Sequence, residues 1–199
     1  MPIIYHVVRL RYGRSYSTYQ VTAKQQGVPI FMLACSFALP EPKQPSYQHP
    51  LPGFPLSLSN TGGGGPIPRP EDCPPTEDRL QAILETRNLP RKIRDYIERN
   101  AAERRQSSIE VRNTDPRDLG MIVDTKGHSP QQAYWMRSRA PVRNDPDFQK
   151  CVLSYASDLN FIGTTARANG LGSRTKPSLG MLASLDHAMC SCNVYSGAV

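Results

Sequence analysis

Two stretches of this sequence hold side chains whose types and spacing could do chemistry. The first is "CVLSYASDLNFIGTT", residues 151–165, which sets one acid, Asp158, into a run that otherwise reads as a core helix. At ~100° per residue, Val152, Tyr155, Ala156, Leu159 and Ile162 share a face, and Cys151 lies at its margin. Asp158 falls about 20° beyond Cys151 on the same wheel. A carboxylate at that margin is expected to be partly desolvated and so a better base than one in open water. The competing expectation is a surface-edge Asp bonded to a backbone amide.

The second stretch is "GMLASLDHAM", residues 180–189. Read as a strand, it puts Met181, Ala183, Leu185, His187 and Met189 on one face, and Leu182, Ser184, Asp186 and Ala188 on the other. Ser184 and Asp186 are then same-side neighbours, about 7 Å apart. His187 points away from Ser184, so "SLDH" cannot form a Ser-His-Asp triad within one strand. No G-x-S-x-G elbow is present either. His187 is therefore expected as a packed or interfacial histidine. Cys190 and Cys192 form a bare C-x-C with no second ligand pair, so no zinc site is expected. The "TGGGGP" tract lacks the G-K-[ST] ending of a phosphate loop and reads as linker.

The elements that must position these residues begin with three long strands. "IIYHVVRL", "SYSTYQVTAKQ" and "PIFMLACSFAL" are separated by the turn signals "YGR" (12–14) and "QGV" (26–28), which predicts an antiparallel meander with the third strand the most buried. Residues 40–76 are dense in Pro and Gly. Beyond them, Leu80, Ile83 and Leu84, then Ile93, Tyr96 and Ile97, mark two short, charged helices that pack weakly on something else. The remainder reads as strand ("SIEVRN"), loop, strand ("QQAYWMRSRAP"), long helix, loop and final strand. Asn144 or Asp145 caps the helix, Pro146 and Asp147 open it, and it runs to about Thr165. The fold class is α+β, with boundaries at 1–42 (three-stranded meander), 43–107 (linker and charged helices) and 108–199.

Bulk properties narrow the field. The chain has 199 residues and a formal net charge of +7, with mean hydropathy −0.49 and pI near 9.3. No run approaches the ~20 apolar residues of a membrane span, so none is expected. "MPIIYHVVRLRYG" is a poor signal peptide, which predicts an intracellular protein with its five cysteines reduced. The excess charge would suit a phosphate-bearing partner. In "RNLPRKIRDYIERNAAERR" acids interleave with bases and no nucleic-acid motif appears, so nucleic-acid binding through residues 87–105 is the least supported function.

"YASDLNF" and "LASLDHAM" resemble the two signature segments of the acyl-CoA thioesterase II family, the double hot-dog thioesterases. "IIYHVVRLRYGRSYSTYQVTAKQQGVPIFMLACSFALPEP" is similar to strands of that family's N-terminal hot-dog, Gln48-His49-Pro50 to its linker, and "AYWMRSRAPVRNDPDFQKCVLSYASDLNFIGT" to the entry of its second hot-dog. The resemblance covers residues 2–42 and 108–189. It implies two hot-dog units, each a long antiparallel sheet around a helix, the first here lacking its helix. It implies hydrolysis of fatty-acyl-CoA to fatty acid and CoA, with no cofactor or metal. Asp158 matches the family's Asp, and Ser184 its Thr or Ser, that hold and activate the attacking water; the family's Gln lies on a later strand beyond the match. A backbone amide near a helix N-terminus would be the cheapest donor to the developing oxyanion. A peroxisomal or cytoplasmic location and a homo-oligomer also follow from the resemblance, although "SGAV" is not a peroxisomal S-K-L address.

Three departures from the family pattern shape the expectation for this chain. It opens directly on a strand, it ends in "CSCNVYSGAV", which resembles nothing in the family, and Tyr12 stands where an Asp usually precedes the turn glycine. They imply a truncated chain that is inactive alone or completes both sheets with a partner chain. A non-catalytic acyl-CoA-binding or scaffold remnant is the alternative.

Overall fold

A computed structural model describes residues 1–39, 67–86, 88–115, 132–169, 171 and 183–190. The chain divides into two compact units, Met1–Pro50 with Cys192–Val199, and Leu51–Ser191. Residues 40–66 of the Pro/Gly-rich stretch, with the "TGGGGP" tract and Gln48 to Pro50, and Cys192 lie outside the described residues.

The first unit is the expected meander: β1 (Ile3–Tyr12), β2 (Tyr16–Gln25) and β3 (Val28–Ala38), antiparallel in that order. The β2–β3 turn has two consecutive positive φ values, 53° at Gln26 and 79° at Gly27. That twist joins adjacent strands without splaying them and is the reason a glycine follows Gln26. At the other turn, Gly13 N donates to Tyr16 O at 2.9 Å, and a Cβ on Gly13 would come within 3.0 Å of that same oxygen. The third strand is not the most buried. β3 is an outer strand and almost wholly exposed, whereas β2, flanked on both sides, is half-buried and holds the one fully buried side chain of the sheet, Ala23. Strand order outweighs the hydrophobicity of "PIFMLACSFAL" in deciding cover.

The second unit carries α1 (Thr76–Thr86), α2 (Arg91–Gln106), β4 (Ile109–Asn113), β5 (Tyr134–Ser138), α3 (Pro146–Asp158) and α4 (Gly163–Ala168). The two charged helices are more firmly built than their composition suggests. Leu80, Leu84, Ile97 and Ala101 form one buried cluster between α1 and α2, with Ile83, Leu89 and Ile93 against it. Ile97 is wholly buried, so truncating it to Ala would cost about 2–5 kcal/mol. Tyr96, expected beside Ile97, is instead exposed. The helices are also tied to the sheet, since Thr76 Oγ1 donates to Val111 O at 2.9 Å.

β4 and β5 pair antiparallel, with Glu110 opposite Arg137 and Val111 opposite Met136. Alternation along β4 gives Ile109 and Val111 one face and Glu110 and Arg112 the other. Ile109, Val111 and Ala156 make the second buried cluster, joined by Tyr134, Met136, Val152 and Leu159. Glu110, buried, meets Arg112 (2.6 Å), Arg137 (2.9 Å) and Arg139 (3.4 Å). Arg139 also pairs with the buried Glu77 of α1. One guanidinium thus ties the start of α1 to the β4–β5 pair.

Candidate active site

α3 is the element that presents Asp158, and both of its ends are fixed. Asp145 caps it, accepting from Asp147 N at 3.1 Å and Phe148 N at 3.2 Å, while Pro146 occupies the first turn. Val152, Ala156 and Leu159 lay its apolar face on β4 and β5. Tyr155, placed on that face by the wheel, is exposed instead. The helix stops at Asp158 rather than near Thr165, and a separate short helix, α4, follows. Asn160 and Gly163 are poor helix formers, and Leu159 N already closes back on Ala156 O at 3.2 Å. Asn160 is gripped from α2, where Arg104 Nη2 donates to its Oδ1 at 2.9 Å.

Asp158 is therefore the last residue of the helix. Its carboxylate lies at the negative end of the helix dipole, the end that favours cations. Its side chain is 52% exposed, wetter than the margin position on the wheel suggested. The amide end of α3, which could answer an oxyanion, is roughly 18 Å away along the axis.

Ser184 comes to Asp158 from a segment 26 residues further on. Its Oγ donates to Asp158 Oδ1 at 3.1 Å. The strand expected here is not formed over residues 183–190, and 180–182 lie outside the described residues. Period-two alternation fixes side-chain direction only within a hydrogen-bonded ladder, and among the described residues no strand pairs with this segment. His187 consequently does not point away from Ser184. Its Nδ1 lies 3.8 Å from Asp158 Oδ1, and its Nε2 lies 3.0 Å from Ser157 Oγ. Leu185, placed on one strand face with His187, is 97% exposed. Nothing in the sequence spacing singles out Ser157 or Phe161, whose ring meets the His187 imidazole edge-on at 5.5 Å.

Ser157 Oγ lies 2.8 Å from Ser154 O, to which it donates, and the direction of its 3.0 Å contact with His187 Nε2 follows the imidazole tautomer. Asp158 is one proton acceptor with a hydroxyl donor on one oxygen. Among the described residues nothing hydrogen-bonds its Oδ2. The same residues contain no group of three His, Cys, Asp or Glu side chains that could hold a metal ion, and Cys35, Cys73, Cys151 and Cys190 are free.

Asp158 and Ser184 thus bring together a half-wet carboxylate and a hydroxyl bonded to one of its oxygens. Two domain families match around it: the acyl-CoA thioesterase C-terminal domain over residues 70–191 and the acyl-CoA thioesterase N-terminal domain over residues 1–38. The chain belongs to the acyl-CoA thioesterase family. It is 31% identical over 190 residues to acyl-coenzyme A thioesterase 8 of Mus musculus, an alignment covering 95% of this chain and 52% of that protein. It is 31% identical over 189 residues to acyl-CoA thioesterase 2 of Haemophilus influenzae, covering 94% and 56%. The chain thus spans about half the length of the curated relatives it matches. Among solved structures, the tesB protein MAP1729c of Mycobacterium avium subs paratuberculosis superposes with a TM-score of 0.51 at 19% identity, covering 85% of this chain and 47% of that one. That likeness bears on the fold alone, an α+β architecture shared with that structure. Among the described residues no helix is long and apolar enough to cross a membrane.

Proposed function

We propose that this chain hydrolyses fatty-acyl-CoA to fatty acid and CoA, with Asp158 as general base and Ser184 as the group that orients the carboxylate and the attacking water. The observation that supports it most is the 3.1 Å hydrogen bond from Ser184 Oγ to Asp158 Oδ1, made between segments far apart in sequence. Ser184 spends its single proton on Asp158, so towards water it acts as an acceptor. A water that donates one hydrogen to Asp158 Oδ2 and the other to Ser184 Oγ keeps a lone pair for the thioester carbonyl. Asp158 takes the proton as the oxygen adds to that carbon. The tetrahedral intermediate then collapses, the C–S bond breaks, and the CoA thiolate leaves and recovers the proton. No acyl-enzyme is needed, in keeping with a Ser157 hydroxyl already committed to Ser154 O.

The proposal extends to a homo-oligomer and to the peroxisome or the cytoplasm as the place of action. The outer edges of β1 and β3 pair with no strand among the described residues, which supports association through the sheet. A non-catalytic acyl-CoA-binding chain is the second reading, and the 52% exposure of Asp158 favours it, because an open site excludes little water. Release of free CoA thiol from saturated acyl-CoA esters of graded length decides between them. Turnover by the wild-type chain that falls in Asp158→Ala and Ser184→Ala is the expected result. Equal turnover in all three overturns the assignment, and binding without turnover establishes the second reading.

A further inference from the structure

We infer that Ser107 is a phosphorylation site for a basophilic serine kinase, and that Arg104 and Arg105 hold the phosphate it receives. Residues 104–107 read Arg-Arg-Gln-Ser, and this is the only Arg-Arg pair in the 199 residues. A kinase selective for arginine three and two positions before its serine reads those guanidiniums with its own carboxylates. Ser108 has an arginine at only one of the two positions. The backbone presents Ser107 as the acceptor. It is the C-cap of α2, with φ −63° and ψ 137°, so the chain is already extended there. Ser107 is half-buried, and Arg105 is exposed. Both arginines lie in the last turn of α2, and helix ends are the parts that open first. The Ser107 hydroxyl accepts from Ile109 N at 3.3 Å, and among the described residues nothing takes its proton. In the transfer, Oγ attacks the γ-phosphorus of ATP and the bond to the departing ADP oxygen breaks. The hydroxyl proton passes to the base of the kinase.

Opposing charges surround the place the phosphate would take. The negative end of the α2 dipole and Glu103, one turn back, both repel it. Glu77 and Glu110 do not, because Arg139 pairs with both. On the attractive side, Arg104 is three positions before Ser107, a neighbour on the same side of the helix. Its Nη2 is held by Asn160 Oδ1 at 2.9 Å, and among the described residues its Nε and Nη1 meet no acceptor. Arg105 adds a second, exposed guanidinium. Arg139 adds positive charge close by, since its Nε donates to Ser107 O at 3.1 Å. Charge-assisted guanidinium–phosphate bonds outweigh a dipole end that carries only about half a charge. The phosphate therefore joins the end of α2 to the start of β4.

The test treats the full chain with Mg-ATP and the catalytic subunit of the cyclic-AMP-dependent kinase, which selects arginine at both positions. Mass spectrometry is expected to find a singly phosphorylated chain with the phosphate on Ser107. Ser107→Ala abolishes the reaction and Ser108→Ala leaves it intact. Arg105→Ala lowers the rate about tenfold or more, the effect of one lost charge-assisted contact. No incorporation, a phosphate mapped to Ser108, or a rate indifferent to Arg105→Ala overturns the site. Phosphorus-31 titration of the modified chain then tests the cradle. A phosphoserine in water loses its second proton near pH 6. Guanidiniums favour the dianion and lower that value, whereas the helix end and Glu103 raise it. The expected value at low salt lies about 0.5 or more below 6 and returns towards 6 in about 1 M salt. A low-salt value at or above 6 overturns the assignment of Arg104 and Arg105.

Discussion

Replacing Asp158 by Asn tests the site and the fold in one experiment. The change swaps one carboxylate oxygen for an amide and removes a charge, while the remaining oxygen can still accept from Ser184, now 3.1 Å from Oδ1. Loss of a general base is expected to lower kcat about 10²- to 10⁴-fold, equivalent to about 3–5 kcal/mol in the barrier. Stability should move the other way. A carboxylate on the last residue of a helix opposes the dipole by about 0.3–1 kcal/mol, and with 52% of the side chain in water the lower half of that range applies. The thermal midpoint of the second unit should therefore rise by about 1–3 °C. Thiol release near pH 8 (where an ordinary imidazole is neutral) and circular dichroism melting measure the two effects on the same preparation. Turnover within about threefold of wild type, less than 1 kcal/mol, refutes the base assignment. A midpoint several degrees lower refutes the picture of a charge placed against the helix for function.

Glu110 sets an acid limit. Burial raises its carboxyl, but the hydrogen bonds and charges of Arg137 and Arg112 outweigh burial and leave it below the ordinary 4.5. Because the folded value is the lower one, its contribution is complete above about 4.5 and drains away as pH falls through the folded value. Glu110→Gln should flatten that acid limb in urea titrations and cost about 3 kcal/mol at neutral pH, the low end for a buried pair because Arg137 keeps access to water. Tyr134 is pushed up to about 12, chiefly by burial. Its stabilising share is whole below pH 10 and is lost towards 12, and the most alkaline step in tyrosinate absorbance should vanish in Tyr134→Phe. Asp145→Ala removes the cap of α3 and should cost about 0.5–2 kcal/mol in chemical denaturation, with turnover falling more steeply than stability if α3 aims Asp158.

Much of this architecture was legible from local chemistry. Turn glycines at 13 and 27 and runs of β-branched residues suffice to announce β1, β2 and β3. Pro146 after Asp145 announces the start of α3, because a cap acts within one turn of itself. What escaped depends on distant neighbours. Period two sends His187 away from Ser184 only if residues 183–190 sit in a ladder, and without one both side chains turn to Asp158. Leu80, Leu84 and Ile97 stand out as apolar positions of α1 and α2, but that they meet in one core and do not pack weakly on something else depends on how the two helices come together. Asp158 could be noticed as an acid in an apolar run, but its position at the end of the helix depends on where Asn160 breaks the repeat.

The bond from Arg104 to Asn160 ties α2 to the segment that follows Asp158. Asn160 is two residues past Asp158, so the last turn of α2 acts as a stop against which the tip of α3 is set. Under the proposed hydrolysis, loss of the Arg104 contact should therefore slow turnover more than it lowers stability. Variation at position 104 offers a dial for tuning turnover without entering the site.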